Sequence, residues 1–243
     1  MSAPVRLSVM GAGLIGKRHI EQILARPEAV LSSIVDPTSA ARELAVSLKV
    51  DWFPSFQDLP SENRPDGVVV ATPNQMHVAN GMDCIAAGIP ALIEKPLADD
   101  VIAAQALVEA SERAGVSLLT GHHRRHNPMI QRAKEEIDSG RLGQIVSVHG
   151  MFWLIKPDDY FEVAWRREKG AGPVFLNLIH DVDLLRYLCG DIVAVQAAQS
   201  NRLRGNAVEE TRGDDPSLRL RRAGNGQCLR HHPVTLELGI HGW

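Results

Sequence analysis

The sequence predicts an α/β fold in which helices cover both faces of a parallel sheet. Up to residue 120, short apolar strand patterns alternate with amphipathic helix patterns, which is the order that builds such a sheet. The segment 67–71 (GVVVA) is an uninterrupted apolar run, as in a strand that is buried on both faces. A glycine-rich turn separates the first strand pattern from the first helix pattern.

Each predicted element has a local reason to begin or end. The first helix stops just before Pro27, and the second strand stops at Asp36. Residues 72–74 (TPN) stop the next strand. Gly88 and Gly115 are the expected C-caps of two later helices, because glycine readily takes the left-handed conformation found there. The predicted strands are 5–9, 29–35, 67–71, 89–93 and 116–120, and the predicted helices are 14–25, 39–48, 75–87 and 99–114.

The pattern changes near residue 122, where we place the boundary between domains 1–122 and 123–243. Beyond this boundary, an amphipathic helix pattern covers 128–139, residues 143–150 alternate as a strand would, and a long apolar helix pattern covers 175–188. The sequence therefore predicts a second domain of mixed α and β structure.

The composition excludes several classes of protein. A net charge of −3 gives no general attraction to nucleic acid, and the arginine-rich segments 219–222 and 230–233, which fit neither a strand nor a helix pattern, carry no interleaved aromatic residues. No apolar run reaches the roughly 18 residues that span a bilayer, and no signal-peptide pattern is present. Cys84, Cys189 and Cys228 form no CxxC pair, which favours a reducing compartment. We therefore expect a cytoplasmic protein with neither nucleic acid nor membrane as a partner.

The turn after the first strand pattern has the spacing GxGxxG, which in this position is typical of dinucleotide binding. Gly11 permits the tight turn, Gly13 lets the backbone approach a pyrophosphate, and Gly16 lets the helix pack closely on the sheet. The phosphates would then bind the N–H groups at the helix N-terminus. The candidate residues of this loop are Gly11, Ala12, Gly13, Leu14, Ile15 and Gly16.

Asp36 predicts which dinucleotide is bound. It ends the second strand pattern about 20 residues beyond the glycine motif, where an acidic residue accepts hydrogen bonds from the adenosine ribose. A carboxylate there also repels a 2′-phosphate. We therefore expect NAD as the cofactor, with NADP less favoured.

Polar residues follow two of the later strand patterns at their carboxyl ends. In an open α/β sheet, ligands bind at this edge. Lys95 is therefore a candidate functional residue, although a lysine here could equally reach solvent or pair with Glu94. The two segments consist of Thr72, Pro73 and Asn74, and of Glu94, Lys95 and Pro96.

His180 and Asp183 share one face of the predicted helix 175–188. A histidine in such a place can act as a general base, bind a metal or pack in the core. Neither HExxH nor a Cys/His ligand spacing occurs, so we expect no metal site. GxSxG is absent as well, which leaves nucleophilic catalysis little support.

Six motifs in a fixed order resemble the Gfo/Idh/MocA oxidoreductases. The resemblance extends from residue 5 to about residue 211, and the combination of motifs is much more specific than any one of them. The motifs are VMGAGLIGKRH (9–19), IVDP (34–37), VVVATPNQMH (68–77), IEKPLA (93–98), GHHRRHNP (121–128) and GAGPVFLNLIHDVDLLRYLCGD (170–191).

This resemblance implies a Rossmann dinucleotide-binding domain, followed here by an incomplete α/β (α+β) domain for substrate binding and oligomerisation. It implies an NAD(P)-dependent dehydrogenase that acts on CH–OH groups of sugars, polyols or related compounds, and intact relatives are expected to be homo-dimers or homo-tetramers. Lys95 corresponds to the family's lysine near the nicotinamide, and His180 to its proton acceptor or donor. Implied residues toward the nicotinamide half are Thr72, Pro73, Asn74, His77, Glu94, Lys95 and Pro96. Candidate substrate residues are His123, Arg124, Asn127, Trp165, Asn177 and His180.

The sequence departs from the family at Leu176, where many members carry an aspartate four residues before the histidine. Asn177 is adjacent and can form a hydrogen bond, but an amide cannot act as a base. Two alternatives to a dehydrogenase follow. One is an NAD-binding module without turnover, and the other is a glycosidase-like enzyme in which NAD acts as a transient redox cofactor.

A second departure concerns the tail. Beyond residue 211 the resemblance stops, and no lysine occurs after Lys169. With permitted codons, a shifted frame turns residues 212–220 into AAMILRF and residues 226–239 into GSVSDTIPSPWSWE, both family-like. We hypothesise that the sequence from about residue 212 is a frameshifted product that lacks strands of the substrate domain. Because missing strands expose a sheet edge, we expect weak or absent turnover for this chain.

Overall fold

The computed structural model describes residues 3–148, 150, 156–168, 171–172 and 174–195, together with two short strands at 217–220 and 234–237. The chain forms two compact units, of which the first ends at Gly121 and the second begins at His122. None of the helices in the described residues is long and apolar enough to cross a membrane.

The first unit is a parallel sheet of six strands in the order β3-β2-β1-β4-β5-β6. This is the Rossmann strand order, so the predicted fold class is confirmed. The strands are β1 (Val5–Met10), β2 (Ala29–Val35), β3 (Asp51–Phe53), β4 (Gly67–Val70), β5 (Ala91–Ile93) and β6 (Leu118–Thr120). The helices are α1 (Leu14–Leu24), α2 (Ser39–Leu48), α3 (His77–Ala86) and α4 (Val101–Ala114).

Alternating side chains of the central strands fill two cores, one on each face of the sheet. Val9 and Val69 pack with Ile34 in one buried cluster. Their sequence neighbours Met10 and Val70 belong to the opposite cluster. Because successive residues of a strand point to opposite faces, strands buried on both sides need apolar residues at nearly every position. That requirement explains why the apolar run in the sequence predicted β4.

Side chains and glycines set the helix ends. The Thr38 hydroxyl accepts a hydrogen bond from the Ala41 N–H, and the Asp100 carboxylate accepts one from the Ala103 N–H, so both residues are N-caps. Gly115 ends α4 with a positive φ of 65°. The sequence did not predict β3, because three residues are too few for a recognisable alternation.

The second unit contains α5 (Pro128–Asp138) and α6 (Ile179–Cys189), and a π-helical turn at Val174–Leu178 leads into α6. Two strands, β7 (Ser217–Leu220) and β8 (Val234–Glu237), pair antiparallel.

Two predictions for the second unit are wrong. The described residues of the expected strand 143–150 form no strand, because an alternating pattern becomes a strand only where a neighbouring strand accepts its hydrogen bonds. Residues 219–220, which fitted no pattern in the sequence, form the end of β7, where the opposite strand β8 supplies that partner.

Candidate functional site

The glycine loop leaves open space at only one of its three glycines. A Cβ atom on Gly11, whose φ is +89°, would lie 2.6 Å from the Ala71 carbonyl oxygen. A Cβ on Gly16 would lie 1.8 Å from the Gly11 carbonyl oxygen, whereas a Cβ on Gly13 would meet nothing within 4 Å. Gly11 and Gly16 are therefore required by packing, and Gly13 leaves room for a ligand.

The N-terminus of α1 presents backbone donors beside this opening. Gly13 is the N-cap, and no side chain caps the helix there. The first N–H groups of a helix have no carbonyl acceptor within the helix. In α1 these are the N–H groups of Leu14, Ile15 and Gly16. Together with the helix dipole, such donors form a site for the oxygens of a phosphate.

Asp36 directly follows β2 and is held in place by its neighbours. Its Oδ2 accepts a hydrogen bond from the Ala12 N–H at 2.8 Å. Its Oδ1 accepts from the N–H and the hydroxyl of Thr38 at 2.9 and 2.6 Å. The indole N–H of Trp52 donates to the Asp36 carbonyl at 2.8 Å. Oδ2 therefore keeps acceptor capacity for a ribose hydroxyl, since a carboxylate oxygen accepts more than one hydrogen bond.

His77 joins the segments that follow β4 and β5. The ring is almost fully buried, with 1% exposed. Its Nδ1 lies 2.7 Å from the Pro96 carbonyl oxygen, and its Nε2 lies 2.9 Å from the Thr72 carbonyl oxygen. A neutral ring can donate to one of these oxygens and a protonated ring to both. His77 thus links the two candidate segments through one buried ring.

Asn74 offers a further donor in this region. Its side chain is 8% exposed, and its amide Nδ2 has no hydrogen-bond partner among the described residues. Nearby, the Thr72 hydroxyl donates to Asn80 Oδ1 at 2.8 Å. A buried donor without a partner is costly, so a ligand that accepts from Asn74 would bind favourably.

Glu94, at the carboxyl end of β5, contacts α1 rather than solvent. Its Oε1 lies 2.8 Å from His19 Nε2, and its Oε2 accepts from the Lys95 N–H at 3.2 Å. Burial raises the pKa of this carboxyl, but the hydrogen bond and charge of His19 and the contacts with Lys95 outweigh burial, so the pKa is lowered overall. Glu94 is therefore an anion that fixes the start of the Lys95 segment.

Three features of the first unit match the parts of a dinucleotide. The opening at Gly13 with the donors of α1 matches a pyrophosphate. The held carboxylate of Asp36 matches ribose hydroxyls, and the partnerless Nδ2 of Asn74 matches an acceptor in the other half of the ligand. The residues present therefore fit NAD.

The second unit holds His180 within a cluster of aromatic and charged side chains. His180 lies on α6 and is 8% exposed. The ring of His123 packs edge-on against it with 4.9 Å between ring centroids, and the ring of His122 lies at 6.2 Å. His123 itself is exposed.

Two arginines tie α6 to the segment 122–126. Arg124 donates to Asp181 Oδ1 at 2.8 Å. Arg125 donates twice to Asp183, from Nε at 2.8 Å and from Nη2 at 2.5 Å, and this pairing raises the pKa of the guanidinium. A two-bonded pair fixes both position and angle, so these contacts set the orientation of the helix that carries His180.

The remaining candidates differ in what the structure shows. Asn127 accepts from the Met129 N–H at 2.9 Å and is the N-cap of α5. Nδ2 of Asn177 and Oδ2 of Asp181 are buried and have no hydrogen-bond partner in the described part of the chain. Trp165 lies in the turn Ala164–Arg167, but its side chain is outside the described residues.

Two other kinds of chemistry find no support in the described residues. No group of three or more His, Cys, Asp or Glu side chains there could hold a metal ion. Burial, followed by the charge of Asp83, raises the pKa of the Cys84 thiol to about 12. Cys84 is therefore a core residue rather than a nucleophile.

The sequence did not predict that His19 contacts Glu94, nor that Arg124 and Arg125 form ion pairs with Asp181 and Asp183 of α6. His19 stands three residues after Gly16 in the motif 9–19, but its partner Glu94 is distant in sequence. Arg124, a predicted substrate residue, pairs with Asp181, and its contact with substrate stays a prediction. Such contacts depend on which elements the fold brings together, and a single sequence holds no sign of them.

Comparison with known proteins identifies related chains for both units. The family described as "Oxidoreductase family, NAD-binding Rossmann fold" matches residues 5–122. The "GFO/IDH/MocA C-terminal domain" matches residues 130–227, which extends past residue 211, where the motif resemblance ends.

Relatives of known name cover most of this chain. "Rhizopine catabolism protein MocA" of Rhizobium meliloti is 28% identical over 76% of the chain, which covers 57% of that protein. "Inositol 2-dehydrogenase 2" of Saccharopolyspora erythraea is 27% identical over 84% of the chain, which covers 59% of that protein. The chain thus spans less than two thirds of the length of these relatives.

A solved structure agrees with the fold. The WlbA dehydrogenase from Bordetella pertussis, in complex with NADH and UDP-GlcNAcA, superimposes with a TM-score of 0.88 at 26% identity. The match covers 100% of this chain and 69% of the other. With both family descriptions matched in order along the chain, it belongs to the GFO/IDH/MocA family of oxidoreductases.

Proposed function

We propose that the chain is an NAD-dependent oxidoreductase that transfers a hydride between the nicotinamide and a CH–OH group of a sugar, polyol or related compound. The observation that carries this proposal is the opening at Gly13, between the donors of α1 and the fixed carboxylate of Asp36. This arrangement supports binding of the pyrophosphate and the adenosine ribose of NAD.

The chain's own residues divide the work. NAD supplies the hydride acceptor when bound. The backbone of α1 would hold the pyrophosphate, Asp36 would accept from the ribose, and Asn74 Nδ2 would donate to the other half of the cofactor. As the substrate carbon loses its hydride, His180 accepts the hydroxyl proton as general base. The Lys95 ammonium stabilises negative charge that develops on the substrate oxygen.

The names of two relatives support the proposed substrate class. One is named for inositol oxidation, and WlbA was solved with a nucleotide sugar acid. All of these compounds carry secondary hydroxyl groups on a ring, which suits a general base and an electrostatic stabiliser. We propose in addition that the protein works in the cytoplasm as a homo-oligomer. The free thiol of Cys84 is consistent with a reducing compartment.

The test is NADH formation by the intact chain with NAD and a panel of ring polyols, sugars and nucleotide sugar acids. His180→Gln should abolish any turnover detected, because an amide cannot take the proton. His126→Gln is the matched control, since His126 is an exposed histidine of the adjoining segment. Activity that survives His180→Gln would contradict the assigned base. NADH binding without turnover by a full-length chain with the restored reading frame would favour the NAD-binding module.

A further inference from the structure

A side-chain pair links the helix that faces the cofactor phosphates to the strand end that carries Lys95. His19 lies on α1 and Glu94 directly follows β5, and their Nε2 and Oε1 atoms are 2.8 Å apart. The two side chains are 26% and 13% exposed. A partly buried pair of this kind is held more firmly than a surface pair, because water competes less for its hydrogen bonds.

Glu94 connects His19 to the backbone of Lys95, because its carboxylate contacts both. While Oε1 meets His19, Oε2 accepts from the Lys95 N–H at 3.2 Å. Gly121 lies against the same carboxylate, since a Cβ there would stand 3.0 Å from the Glu94 Cδ and Oε1 atoms. The Gly121 N–H also donates to the Ile93 carbonyl at 2.8 Å. The carboxylate is therefore confined on one side and bonded on two others.

His19 is also close to the phosphate-binding end of its helix. It lies five positions after Leu14, which corresponds to about 7.5 Å along the helix axis. A helix transmits a displacement over such a length almost rigidly. Any shift of the α1 N-terminus toward bound phosphates therefore moves His19, and with it Glu94 and the Lys95 backbone.

We propose that His19 and Glu94 are positioning residues that couple the phosphate-binding end of α1 to the placement of Lys95. The inference rests on the proposed function, in which Lys95 lies toward the nicotinamide half of NAD. Its consequence is that the pair contributes to binding of the nicotinamide half, although His19 belongs to the helix that binds the phosphates.

The test compares NADH with ADP-ribose, which keeps the pyrophosphate and both riboses but lacks the nicotinamide. Calorimetric titration of the full chain gives the dissociation constant of each. His19→Phe should weaken NADH binding about tenfold and change ADP-ribose binding by less than about twofold, because contacting residues couple by such amounts. His19→Gln should keep most of the NADH affinity, since its amide can donate to Glu94. Arg18→Gln is the control, because Arg18 is exposed on the same helix and pairs with Glu21.

A merely structural role predicts a different result. If His19 only supports the phosphate site, His19→Phe weakens both ligands equally, and the proposal is wrong. Unchanged NADH binding by folded His19→Phe overturns it as well. Gly121→Ala, which presses on Glu94 from another side, should give the same selective loss even if His19→Phe does not fold. In a Lys95→Met background, His19→Phe should have little further effect. Failure of the unsubstituted chain to bind either ligand would instead refute the proposed function.

Discussion

Gly13 and Gly16 stand three residues apart in one loop, yet their surroundings differ completely. The ideal Cβ position of Gly13 is open, and that of Gly16 falls on the Gly11 carbonyl oxygen. We predict that Gly13→Ala keeps the melting temperature but weakens NADH binding, because the methyl group occupies ligand space. Gly16→Ala should instead lower stability by about 3 kcal/mol or more, because backbone must move. Thermal denaturation and NADH titration of both variants test this. Equal NADH affinity of Gly13→Ala and the native chain would contradict it.

The Glu94 carboxyl makes the stability of the fold depend on pH. The pKa of its carboxyl is lowered from the ordinary 4.5. A lowered folded-state pKa means that the charged form stabilises the fold above the unfolded-state pKa, and that this contribution is lost as the pH falls through the folded-state value. The stability advantage of the native chain over Glu94→Gln should therefore shrink between about pH 6 and pH 3. Urea unfolding at each pH measures it, and an advantage that stays constant or grows on acidification would rule this out.

For single residues, the sequence predicted positions that follow from backbone geometry or motif spacing, whereas the cofactor contacts of these residues stay predictions. Gly11, Gly13 and Asp36 belong to that group, since a turn and a strand end define their places. His19 does not, because a histidine on a helix has no local signature of a carboxylate that the sheet brings beside it.

At the scale of elements, the orientation of α6 depends on its ion pairs with Arg124 and Arg125. The Asp183 side chain is 8% exposed, so Arg125→Gln leaves a buried carboxylate without its two-bonded partner. We predict a loss of about 2–4 kcal/mol in the free energy of unfolding. Arg186→Gln, which breaks the exposed pair between Arg186 of α6 and Asp191 just after the helix, should change the free energy of unfolding by less than about 0.5 kcal/mol. If denaturant unfolding shows similar losses of stability for both variants, the Arg125–Asp183 pair stabilises the fold no more than a surface pair does.

The accuracy of the sequence prediction also differed between elements. β2 and α2 match their predicted bounds, because Asp36 and Thr38 mark the boundary between them. The prediction of a strand at 143–150 was wrong, because an alternating pattern describes a single strand, whereas a sheet requires a second strand to pair with it. Local signals therefore suffice for elements with caps and turns, whereas pairing between distant segments requires the structure.

At the scale of the whole molecule, the frameshift hypothesis for the tail stays a prediction. Apart from β7 and β8, the residues from 196 onward lie outside the described part of the chain. A nucleotide read of the gene from codon 200 onward decides it. We expect a single-base change to restore a frame that encodes SDTIPSPWSWE, and a tail that reads as written would refute the hypothesis.

The central claim is that the first unit binds NAD through the glycine loop and Asp36. The most direct measurement is calorimetric titration of the intact chain with NADH and with NADPH. We predict saturable binding of one NADH per chain and clearly weaker binding of NADPH, because the Asp36 carboxylate accepts from the ribose and repels a 2′-phosphate. Absence of NADH binding, or equal affinity for the two cofactors, would contradict the account.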